Sequence, residues 1–128
     1  MSPGQRLWTV LIAAAIWGPI SALAADAAFI VQRSPLAGFR HYDGSEFWRD
    51  MKAGDRLELV REPENPYDAG AIRVEWRGRK LGYVPRRDNA AVARQLDLGT
   101  PLEARVAVLQ ENRNRSVRIE FEVIAPLQ

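Results

Sequence analysis

Near the C-terminus Val117, Ile119, Phe121 and Val123 alternate with Arg118, Glu120 and Glu122. An apolar side chain at every second position is what a half-buried strand requires, and a helix cannot use it. The preceding run "PLEARVAVLQ" (101–110) is joined to "SVRIEFEVIA" (116–125) by the polar loop "ENRNR", so two long strands close the chain. The same period returns upstream. Leu57 and Leu59 alternate with polar residues in "RLELVRE", and Ile72, Val74 and Trp76 share one face of "AIRVEW" (71–76). A tight turn at Gly78 leads into "LGYV" (81–84), so 71–84 is expected as a β-hairpin, ended by Pro85. "AFIVQR" (28–33) adds a short strand at the start.

Two stretches break the strand pattern. "SEFWRDM" (45–51) suits a short helical turn, with Ser45 as a possible cap and Phe47 and Met51 four apart on one face. "NAAVARQLDLG" reads as the one real helix, capped by Asp88 and stopped by Gly99, with Val92, Leu96 and Leu98 as its apolar face. The count is five to six strands and one helix. A single twisted sheet of this size would leave long edges open, so the expected fold is mostly β, a sheet curled into a small barrel.

Residues 1–24 carry a different signal. Arg6 precedes the apolar run "LWTVLIAAAIW", and Ala22-Leu23-Ala24 offers small residues for cleavage. This reads as a signal peptide cleaved after Ala24, with 25–128 as the folded domain. The competing reading is an uncleaved anchor, since residues 7–25 hold no charge; the membrane would then be touched through residues 1–24 alone. The expected location is periplasmic or secreted, with inner-membrane anchoring as the alternative. Without Arg6 the charge balance falls from +2 to +1, so an anion site must be a local patch and not a global field. The sequence has no Cys and a single His, His41. That excludes thiol chemistry, disulfides and Cys- or His-cluster metal sites. No cofactor is expected.

The densest run of polar and turn-forming residues is "REPENPYDAGAIRVEW", Arg61 to Trp76. Asn65-Pro66 and Asp68-Ala69-Gly70 are strong turn formers, and Asp68 can bond its own downstream backbone. Turn chemistry alone therefore accounts for Asn, Pro and Asp; it accounts less easily for Tyr67. Taken with "AGFRHYDG" before it and "GRKLGYVPRRDNAAVARQLDLG" after it, this run resembles the HIRAN domain family over about residues 29–124. The resemblance implies an OB-like small barrel. It also implies a module that binds single-stranded DNA and captures its 3′ end. Carried over motif by motif, the site it implies comprises Arg40, His41 and Tyr42; Asn65, Tyr67 and Asp68; and Tyr83 with Arg86.

These residue types suit that task. A tyrosine such as Tyr67 stacks on any base. Asp68 can accept a hydrogen bond from a 3′ hydroxyl and would repel a 3′ phosphate. Arg40 and Arg86 can grip phosphates, and Tyr42 or His41 offers a second stacking plane. Each has a plainer reading: Tyr83 as core or rim, Arg86 as solvated, His41 as a surface residue. Trp76 is expected in the core, and Trp48 either there or in a binding surface. No nucleophile stands beside a base and there is no phosphate loop, so an enzyme is not expected. The expected partner is a single-stranded DNA 3′ end. An exported module for an envelope ligand or protein partner is the alternative, and a small hydrolase a remote third.

Overall fold

In the computed structural model, residues 28–127 are described; the leader expected over residues 1–24 lies outside them. Six strands form one antiparallel sheet: β1 (Ala28–Pro35), β2 (Arg56–Arg61), β3 (Ile72–Trp76), β4 (Arg79–Tyr83), β5 (Glu103–Glu111) and β6 (Val117–Pro126). Two short helices accompany it, α1 (Gly44–Phe47) and α2 (Asn89–Asp97). The sheet order is β1-β6-β5-β2-β3-β4. Among the described residues no helix is long and apolar enough to cross a membrane.

The alternation sets the inner face. Ile119, Phe121 and Val123 of β6 meet Ala104 and Val106 of β5 in a buried core that also takes Leu57, Ile72, Val74 and Leu81. Val92 of α2 closes it from one side. Phe47 of α1 stacks flat on Trp76, with ring centroids 5.3 Å apart, so the helical turn is held to the sheet by an aromatic pair. Met51 is buried beside them, as the four-residue spacing implies. On the outer face, Arg105 donates to Glu122 across β5 and β6 at 2.9 Å, and Arg33 of β1 lies 3.7 Å from Glu120. Such exposed cross-strand pairs favour the register but contribute little stability individually.

The β3–β4 hairpin forms as expected. Its two turn residues, Arg77 and Gly78, both have positive φ, 49° and 77°. That is the turn whose twist matches the flanking strands.

Three expectations are corrected. The sheet does not close into a continuous barrel, because β1 and β4 remain its two ends. Only a single bridge joins Ala37, just past β1, to Tyr83 at the end of β4. Past Pro35 the chain passes from β6 to β4 within two residues: the Leu36 N–H donates to the Ile119 carbonyl at 2.9 Å, and Ala37 exchanges backbone hydrogen bonds with Tyr83 at 2.9 Å each. The close approach at the bridge needs Gly82, where any Cβ would collide with the Ala37 carbonyl oxygen. Next, neither proposed cap bonds its helix. Asp88 precedes α2, but its carboxylate instead accepts from the buried Ser34 hydroxyl at 3.2 Å. Ser45 lies inside α1 and not before it. Last, Leu98 is 72% exposed, so the apolar face of α2 rests on Val92, Ala93 and Leu96.

Candidate nucleic-acid interface

Between β2 and β3 the chain makes a loop, residues 62–71, closed at its base by Glu62 N–H donating to the Ala71 carbonyl at 3.0 Å. The loop is built by its own polar side chains. Asn65 Oδ1 accepts from the Tyr67 N–H at 2.9 Å, and Asp68 Oδ1 accepts from the Gly70 N–H at 2.9 Å. These are two successive side-chain turns of the kind the sequence suggests. From behind, Arg61 donates to the carbonyls of Ala69 and Ala71 at 2.9 and 2.6 Å and pairs with Asp97 of α2. The buried amide of Asn89 donates to Asp68 Oδ2 at 2.7 Å. The turn reading of Asn65 and Asp68 is therefore correct as far as it goes. Tyr67 has no such role: it stands at the loop tip, 85% exposed.

Beneath Tyr67 lies a cavity of about 400 Å³, lined by Tyr42, Asn65, Asp68, Tyr83 and Arg86, with Ala37, Ala71 and Val84 as its apolar wall. Tyr42 and Tyr83 meet edge to face, their centroids 6.0 Å apart. Lys80 sits 4.1 and 4.5 Å from those two ring centroids and donates to the Tyr83 hydroxyl at 2.8 Å. That hydroxyl donates to Glu62 Oε1 at 2.9 Å. Glu62 does not line the cavity but ties two residues that do, since besides the Tyr83 hydroxyl it accepts from Asn65 Nδ2 at 3.0 Å, and it accepts from Arg73 at 2.7 Å as well.

The electrostatics follow from these contacts. The Gly70 N–H, the Asn89 amide and the nearby charges of Arg86 and Arg61 outweigh partial burial and hold the Asp68 carboxyl below its ordinary pKa. Burial alone would raise Glu62, but its bonds from Asn65, Tyr83 and Arg73 leave it lowered. Tyr83 is raised, by burial and then by Glu62, so its hydroxyl stays a donor. Burial opposes the charge on Lys80, yet Tyr83, Tyr42 and Glu62 raise its pKa. The cavity thus presents a fixed anion, aromatic faces and a guanidinium. Each Asp68 oxygen keeps a lone pair free for a further donor. Among the described residues Arg86 has no carboxylate partner within 4.0 Å, unlike its neighbour Arg87, which lies 3.8 Å from Asp88.

Six of the eight residues singled out in the sequence line this cavity: Tyr42, Asn65, Tyr67, Asp68, Tyr83 and Arg86. Arg40 and His41 do not. They line a separate cavity, with Trp48, because the short turn Phe39–His41 carries them away from Tyr42. Four supporting residues escape a reading of the sequence. Glu62 stands within the motif but looks like loop charge. Lys80 looks like turn charge. Arg61 looks like a strand edge, and Asn89 like the surface start of a helix. Glu62 and Asn89 meet Tyr83 and Asp68, each 21 positions away, and Arg61 meets Asp97, 36 away, so no local pattern marks them; Lys80 bonds Tyr83 only three positions on, but nothing in the turn signals that contact. No group of three or more His, Asp or Glu among the described residues could hold a metal ion.

The chain matches the HIRAN domain family over residues 30–128. It belongs to that family. Among curated relatives, this HIRAN domain is 36% identical over 70 residues, 54% of the chain, to the helicase-like transcription factor of Mus musculus. It is 33% identical over 96 residues, 73% of the chain, to a protein of Arabidopsis thaliana provisionally named as a SWI/SNF-related matrix-associated actin-dependent regulator of chromatin, subfamily A member 3-like 1. The matched segments span 6% and 10% of those two proteins. Among solved structures, a Lactobacillus plantarum protein superposes with a TM-score of 0.62 at 29% identity, covering 77% of this HIRAN domain and 97% of that chain. The HIRAN domain of human HLTF superposes with a TM-score of 0.61 at 24% identity, covering 78% of each chain.

Proposed function

We propose that this HIRAN domain is a binding module for single-stranded DNA that captures the 3′ end in the cavity under Tyr67. The observation that carries the reading is the pairing of an exposed aromatic with an oriented carboxylate and an unpartnered guanidinium around one cavity. Tyr67 would stack on the terminal base, Asp68 would accept the 3′ hydroxyl, and Arg86 would meet the phosphate before it. The curled sheet, stitched at Ala37 and Tyr83, would serve as an OB-like frame for this loop. The test is fluorescence anisotropy with three labelled strands: one ending in a 3′ hydroxyl, one in a 3′ phosphate, and one with its 3′ end blocked. Tight binding of the hydroxyl-ended strand alone is expected. Equal, weak binding of all three with steep salt dependence would overturn end capture.

A second reading has its own support in the leader over residues 1–24 and in the near-balanced charge. We read the leader as an export signal, which would put the domain in the periplasm or outside the cell. The same cavity could then take an envelope ligand bearing a hydroxyl beside a phosphate or carboxylate, or a protein partner. Cell fractionation checks the location: recovery in the cytoplasm would remove this reading and leave DNA as the partner.

A further inference from the structure

The cavity that receives Arg40 and His41 is larger than the first, about 630 Å³. The two cavities adjoin at one turn: Phe39, Arg40 and His41 face the second, and Tyr42, the next residue, faces the first. The second cavity has its own aromatic, Trp48, which is only partly buried against the core. Arg49 packs over its ring at 5.1 Å and reaches Glu111 at 4.0 Å. Most arginines in the described residues are paired with a carboxylate. Arg40 and Arg115, both in this cavity, have none within 4.0 Å.

Arg115 has a further peculiarity. It occupies the β5–β6 turn at φ 63°, in the left-handed region that suits glycine or asparagine. The turn is held by other groups. Asn112 N–H donates to the Ser116 carbonyl at 2.8 Å, and Asn114 Oδ1 accepts from both the N–H and the hydroxyl of Ser116. The Arg115 side chain is therefore not what makes the turn, and its conformation is unfavourable for an arginine. The residue lines the cavity, and its guanidinium has no carboxylate within 4.0 Å to hold it elsewhere.

We propose that this second cavity holds the nucleotides on the 5′ side of the captured end. Trp48 stacks on a base, and Arg40 and Arg115 hold the phosphates that run through this cavity. The proposal rests on the end-capture reading and lengthens its footprint. An open groove pairing an aromatic with uncompensated arginines is the arrangement that grips a single strand without reading its sequence.

The test compares a dinucleotide and an octanucleotide, both 3′-hydroxyl ended, on the wild-type protein and on Arg115→Gly. Glycine accepts the left-handed turn, so the variant should melt no lower than wild type. The wild type should bind the octanucleotide more tightly than the dinucleotide. Arg115→Gly should bind the octanucleotide about fivefold more weakly, with a salt slope smaller by about 0.7, and should leave the dinucleotide unaffected. Trp48→Ala should lose about tenfold on the octanucleotide alone. Equal affinities for the two lengths, or an unchanged slope in Arg115→Gly, would overturn the second cavity while sparing end capture. Absence of binding to both strands would overturn both.

Discussion

Asn65 and Asp68 each use their side chains inside the loop that carries them, and Asp68 is fastened a second time by Asn89. Tyr67, between them, contacts solvent over most of its surface. The bonded pair holds the backbone on both sides of one exposed aromatic ring, which would lower the ordering cost if that ring stacks on a base as proposed. Tyr67→Ala should therefore separate binding from folding. Affinity for a hydroxyl-ended strand should fall by about 1–3 kcal/mol, roughly tenfold or more. The melting temperature should hold to within the small shifts of exposed substitutions. A calorimetric scan beside an anisotropy titration checks both. Loss of stability with unchanged binding would return Tyr67 to a structural role.

At the scale of elements, the Ala37–Tyr83 bridge decides the shape of the site, because it brings the end of β1 to the end of β4 and sets Tyr42 against Tyr83. Gly82→Ala should push these apart, since its Cβ would meet the Ala37 carbonyl. The expected cost is about 1–3 kcal/mol, which for a domain of this size lowers the melting temperature by about 4–8 °C per kcal/mol. Strand binding should weaken with it, and an unchanged melting temperature would show that the bridge gives way freely. The strands themselves were legible in the sequence, because Val117 to Val123 and Ile72 to Trp76 each alternate without interruption. The single bridge between the sheet's two ends was not, for it depends on Gly82 admitting Ala37, about forty-five residues away. Arg40 and His41 adjoin Tyr42 in sequence, and only the direction of a three-residue turn divides them between two cavities. The caps misled for a related reason: Asp88 fits its helix well on local grounds, but Ser34 from β1 is also within reach.

Taken as a whole molecule, the domain has nearly balanced charge, and three of its arginines without a carboxylate within 4.0 Å, Arg40, Arg86 and Arg115, line the two cavities. Two consequences can be measured. If Arg86, Arg40 and Arg115 each meet one phosphate, the logarithm of the affinity should fall with the logarithm of salt at a slope of about −2. A much steeper slope would mean a diffuse contact. The second concerns acid. Asp55, Glu62 and Asp68 are all lowered from ordinary values of 3.8, 4.5 and 3.8 in the folded state. The unfolded chain therefore binds more protons in that range, so stability rises with pH. The contribution of these carboxylates is complete above the ordinary values and is lost as pH falls through the lowered ones. Urea midpoints should decline below about pH 4.5, the ordinary Glu62 value, and Asp68→Asn should narrow the gap between neutral and acid midpoints.

The pairing of β1 with β6 joins the first described strand to the last. β6 in turn supplies the other neighbour of β5. Contacts between such distant parts of the chain form late and slowly, because a long loop must close before any of them is rewarded. A nascent chain therefore cannot complete this sheet until β6 has left the ribosome, and until then β1 and β5 lack their partner and stay open to chaperones. Losing β6 would strip partners from two strands at once, whereas losing β1 would remove only a margin. Stepwise truncation from the two ends should show that asymmetry in the fraction of chain that survives brief protease treatment.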